Sequence, residues 1–126
     1  MIFIHAAKFT CEEIEDRIEE EAKVYSLMLK KHFPFSKNLP ENGYAIKEHA
    51  SVFEFCDPSV AAKLLNTQPS LNVLMPCRIS VYEKDGSSFV STLDLSAILE
   101  SLECEDDLKA EILALYDKMR LLIKRF

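Results

Sequence analysis

The chain is predicted to be an α+β domain, with one mostly antiparallel sheet of about four to five strands and helices packed on one of its faces. Three observations predict this. Residues 2–6 alternate with a period of two, Asp85 and Gly86 join two β-rich runs, and residues 105–125 carry a broad apolar stripe at helical spacing. The expected order is strand, helix, strands with an inserted helix, a hairpin and C-terminal helices. A chain of 126 residues can bury a core without staples, so residues 1–126 are read as one domain.

In the first strand Ile2, Ile4 and Ala6 alternate with Phe3 and His5. Thr10 then starts a helix, because TCEE has the form of a capping box. The Thr10 hydroxyl accepts from the amide three residues on, and Glu13 reaches back to the Thr10 amide. Acidic residues at 12, 13, 15 and 16 suit the positive end of the helix dipole. Cys11 falls in line with Ile14, Ile18 and Ala22 on one face, which gives it the role of a small buried side chain. Glu19, Glu20 and Glu21 form a solvated face.

After Ala22 the spacing changes, and residues 24–31 read as a second strand; a continuous helix over 11–33 is the competing reading. Residues 32–43, HFPFSKNLPENG, hold two prolines, two asparagines and a glycine, and are expected to be a loop. Its Phe33 and Phe35 are expected to fold onto the core, whereas an exposed pair would mark a docking surface.

A third strand over 52–55 stops at Cys56. Asp57 is an N-cap with Pro58 at the first helical position, so a helix follows to about residue 66, packing Val60, Ala61, Leu64 and Leu65 on the sheet. The strand over 78–83, the Asp85-Gly86 turn and the strand over 89–93 form a hairpin. Asp94 or Ser96 starts a short helix through Leu102, and the acidic ECEDD leads into the last helix, about 105–125. Leu108, Ile112, Leu115, Met119 and Leu122 make its stripe, which is expected to cover the protein's own sheet. Lys118, Arg120, Lys124 and Arg125 sit where positive charge meets exposed carbonyls.

Composition narrows the function classes. A formal net charge of -6 repels a phosphate backbone, so no nucleic-acid partner is expected. No run reaches the roughly 20 apolar residues of a membrane span, and MIFIHAAKF lacks the form of a secretion signal. The expectation is a soluble, cytoplasmic protein. Cysteines at 11, 56, 77 and 104 show no CxxC and no compact ligand spacing, so neither zinc nor another metal is expected. Two glycines leave no phosphate-cradling loop, and neither GxSxG nor HExxH occurs. No cofactor is implied. His5, His32 and His49 are far apart in sequence and read as packed or surface residues.

CDPSVAAKLL, LMPCRISVYEKDG and the strand after it resemble the domain-of-unknown-function 302 family. In that family a cysteine, then asparagine or aspartate, then proline precede a helix, and a proline-cysteine pair begins a central strand. The resemblance covers about residues 50–100, with looser agreement at the first strand and helix and at the last helix. It implies a small α+β domain, usually a homodimer, of no established activity. HFPFSKNLPENGY departs from the family pattern.

Two functional readings follow. The first is a noncatalytic domain that dimerises and binds a small ligand or protein partner between its sheet and residues 32–43, with His32, Phe33, Phe35, Asp57 and Arg78 as candidate ligand-binding residues. A dimer is expected because an open sheet leaves an edge or a face that needs cover. The second is a thiol-based redox or sulfur-handling accessory protein using Cys56 and Cys77. Cys56 precedes an N-cap, where amides and the helix dipole favour a thiolate. The other reading of both cysteines is that they fill tight core spots.

Overall fold

The computed structural model describes residues 1–126. Five strands form one antiparallel sheet in the order β1-β5-β4-β3-β2, built from β1 (Ile2–Ala6), β2 (Met28–Phe33), β3 (Ala50–Cys56), β4 (Cys77–Lys84) and β5 (Ser87–Leu93). The helices are α1 (Cys11–Lys23), α2 (Phe35–Glu41), α3 (Pro58–Thr67), α4 (Ser96–Ser101) and α5 (Asp106–Ile123). This is the α+β class expected, and α1 and α5 lie against one face of the sheet. No helix is long and apolar enough to cross a membrane.

The local signals act where they stand in the sequence. The Glu13 amide donates to the Thr10 hydroxyl at 3.2 Å and the Thr10 amide donates to the Glu13 carboxylate at 3.1 Å, which fixes the start of α1. Asp57 accepts from the amides of Ser59 and Val60 and opens α3 with Pro58 behind it. Asp85 and Gly86 both have positive φ, 51° and 81°, the backbone that a two-residue hairpin turn requires. Cys11, Ile14, Ile18 and Ala22 are buried as a stripe. So is the apolar face of α5, which runs on to the buried Phe126. The Phe126 ring meets Phe9 edge-on at 6.3 Å, and its carbonyl accepts from the Lys8 amide at 2.7 Å.

Two expectations in the N-terminal half are corrected. Residues 24–26 form a turn, and the strand begins only at Met28 and runs through Phe33. Ser26 adopts the left-handed region, φ 58°, while the Ala22 carbonyl accepts from both the Tyr25 and Leu27 amides. That arrangement ends a helix and buries Leu27 beneath it. Residues 32–43 are not a loop: His32 and Phe33 close β2, and Phe35–Glu41 is helical. Pro34 stands just before α2, where a missing amide hydrogen is harmless, and its carbonyl accepts from Lys37 and Asn38. Pro40 falls near the end of so short a helix that it deprives only one carbonyl of a partner. The Ser36 hydroxyl accepts from the Ala50 amide at 2.6 Å and donates to the Ala50 carbonyl at 3.2 Å, filling the ladder position that β2 vacates.

Register settles which residues face the helices. Phe53, Phe55, Cys77, Ile79, Val81 and Val90 point to the helical side and form the core with α1 and α5. Their neighbours along each strand point the other way. The edge strand β2 is interrupted by a bulge between Leu29 and Lys31, and Lys30 and Lys31 add charge there. Both features discourage a further strand from pairing with it.

Candidate functional site

Cross-strand partners assign Ile2 and Leu93, Ile4 and Ser91, Ser80 and Ser91, Tyr82 and Phe89, Val52 and Ser80, and Phe33 and Val52 to the face away from α1 and α5. Ile2 is 61% exposed, Ile4 54% and Leu93 41%. Phe33 and Phe35 are here corrected: neither joins the core. Their rings lie nearly parallel with centroids 6.1 Å apart, half-buried. For Phe33 the bulge at Lys30 decides this, because one extra residue resets which side of the sheet each later side chain of β2 takes, and Phe35, at the start of α2, stacks on the outward Phe33.

A depression of about 390 Å³ lies on this open face, lined by Ile2, Val52, Arg78, Ser80, Ser91, Thr92 and Leu93. Its size is within the range of small-ligand sites. Of the ligand-binding candidates read from sequence, it contains Arg78 alone. Lys31, Glu54 and Arg78 sit side by side across three strands. Glu54 is 3.7 Å from the Arg78 Nε, while Lys31 and Arg78 approach the Phe33 ring at 4.7 Å and 5.8 Å.

His32 points to the opposite, helical side and stacks on Phe53 at 4.2 Å. It joins a constellation not seen in sequence. The Glu15 carboxylate on α1 accepts from the Ser51 hydroxyl and pairs with His49 Nε2 at 2.8 Å, with His32 Nε2 3.8 Å away. Serine, histidine and carboxylate together suggest a nucleophilic triad, but the order is wrong for one. The carboxylate stands in the middle, with the His49 imidazole on its Oε1 and the Ser51 hydroxyl on its Oε2, and Ser51 is buried. The cluster ties α1 to β3. A sequence signal did exist: Glu15 follows Ile14 at the border of the buried stripe, and His49, just ahead of β3, is two residues from Ser51. No group of side chains has the arrangement of a metal site.

Asp57 lies at neither place. It is buried at the N-terminus of α3, where the Ser59 hydroxyl donates at 2.7 Å and Lys118 at 3.1 Å. Burial raises its pKa, but hydrogen bonds from Ser59, Lys118 and the Val60 amide outweigh this and hold the carboxyl below its usual range. A smaller recess of about 260 Å³ between α3 and α5 opens beside it. Both arginines of the tail also have ion-pair partners within the chain, Arg120 with Asp94 and Arg125 with Glu21.

Cys56 and Cys77 sit on adjacent strands, yet the pleat directs them to opposite faces: Cys77 pairs with the inward Phe55, and Cys56 follows it outward. All four cysteines are free thiols. Burial pushes Cys77 up to about 11, with the Tyr116 hydroxyl opposing. Burial also raises Cys56, against the pull of Lys30. The amides that open α3 serve Asp57 rather than a thiolate.

The architecture is that of a small α+β domain whose antiparallel sheet is covered by helices on one side and open on the other. The family model "Domain of unknown function DUF302" matches residues 3–126, and the chain belongs to that family. Among solved structures it is similar to the crystal structure of an uncharacterized conserved protein DUF302 from Bacillus stearothermophilus. That likeness has a TM-score of 0.88 at 19% sequence identity, covering 98% of this chain and 96% of the other. No curated protein matches the chain.

Proposed function

We propose that this chain is a noncatalytic homodimeric binding domain, in which the open sheet face meets a second copy and the depression on that face holds a small ligand. The observation that supports this reading is the apolar character of a face that no core helix covers. Ile2, Ile4 and Leu93 stand exposed on one side of it, with Val52, Phe33, Tyr82 and Phe89 half-buried beside them. Exposed apolar patches of this kind mark interaction surfaces. The bulged, lysine-bearing β2 edge favours the face over that edge as the place of contact. A second copy laid on the face roofs the depression, so assembly and ligand binding reinforce each other by mass action. Four free thiols suit a reducing, cytoplasmic setting. Light scattering tests the assembly: a mass twice the 14.4 kDa of the chain is expected, and a monomer across the working concentration range contradicts it.

A further inference from the structure

We infer that the ligand taken by the open face is a small monocarboxylate with a short apolar body. The inference rests on the proposed reading of that face as a ligand site and adds the chemistry of the ligand. The outward row Lys31, Glu54, Arg78 holds two cations and one carboxylate. It therefore leaves one positive charge unbalanced on a chain whose formal net charge is -6. The Arg78 side chain is 53% exposed, and its approach to Glu54, 3.7 Å at Nε, is too long for a hydrogen bond. Its guanidinium keeps its donors for a ligand, and a planar fork of N–H groups matches a carboxylate. Ser80 and Ser91 face each other across β4 and β5 beside it, adding hydroxyls that can donate to an oxygen anion.

Apart from Thr92, whose hydroxyl is spent on the Arg78 carbonyl, the rest of the lining is apolar. Ile2 and Leu93 form a cross-strand pair, and Val52 stands on the far side of Ser80. A ligand anchored at Arg78 lays an apolar body along these three side chains. A phosphate monoester fits poorly, because one unbalanced charge does not neutralise a dianion, and inorganic phosphate in addition covers none of the apolar wall. A cationic ligand would face Arg78 directly.

Titration of the isotope-labelled protein with sodium octanoate, 1-octanol and inorganic phosphate tests this by amide chemical shifts. Octanoate is expected to move Val52, Arg78, Ser80, Ser91 and Leu93 in a saturable way, with octanol at least ten-fold weaker and phosphate without effect. Arg78→Gln is expected to weaken octanoate at least ten-fold, and Arg78→Lys to restore part of the loss. Since Arg78 is largely solvent-facing, both variants keep the native spectrum elsewhere. Octanol binding as tightly as octanoate, with Arg78→Gln neutral, overturns the anionic class while leaving a ligand site in place. No saturable shift on this face with either C8 compound overturns both the inference and the ligand-site reading beneath it.

Discussion

Lys118 donates a 3.1 Å hydrogen bond to the Asp57 carboxylate, joining α5 to the first turn of α3. The same carboxylate caps that helix, so one side chain fixes a helix start and the packing of two helices. Replacing Asp57 by Ala removes the cap and strands the ammonium, at a cost of about 2 kcal/mol. Lys118→Met costs less, about 1 kcal/mol, because that ammonium is partly solvated. Urea unfolding midpoints measure both.

The lowered Asp57 pKa has a definite sign. The folded state holds this carboxyl ionised below its ordinary value of 3.8, so its contribution is fully present above that value. It is lost as pH falls through the lower folded value. Asp57→Asn is expected to flatten the dependence of stability on pH in that acid window. An undiminished dependence contradicts the assignment.

Glu15 is expected to be structural. Glu15→Gln weakens the acceptor shared by Ser51 and His49 and costs about 1–2 kcal/mol. Glu12, at the rim of the same cluster and largely exposed, changes stability by no more than about 0.5 kcal/mol on replacement by Gln. Thermal melts of the two variants decide the point, and equal effects would remove Glu15 from its central place.

Alkylation with iodoacetamide at neutral pH checks the thiols. With its thiol raised and buried, Cys77 is expected to react only as the protein unfolds, and Cys56 more slowly than a free model thiol. Rapid modification of Cys56 in the folded protein would return thiol chemistry to consideration.

Short-range chemistry was legible in the sequence: the Thr10–Glu13 box, the Asp57-Pro58 helix start, the Asp85-Gly86 turn and the stripes of α1 and α5 all depend on neighbours within a few residues. Phe33 and Phe35 were not, because the direction of Phe33 depends on the bulge at Lys30 and on pairing with β3, and Phe35 follows it from the start of α2. Prolines 34 and 40 read as breakers because a helix of this length tolerates what a longer one would not. Arg78 is a candidate from sequence, but its companions Ser80, Ser91, Ile2 and Leu93 come together only through the order of strands. Glu15, His49 and Ser51 meet across 34 and 36 residues of chain, beyond any local pattern.

The reading of the open face as the meeting surface of two copies is tested most directly by sedimentation velocity on the native chain and on Ile4→Lys. Ile4 is exposed on that face and outside the core, so the charge is tolerated by the fold and not by a second apolar face. The account predicts a dimeric native protein and a folded, monomeric variant whose melting temperature is lower only by the lost contribution of assembly and no longer varies with protein concentration; a variant that remains dimeric places the contact elsewhere and contradicts it.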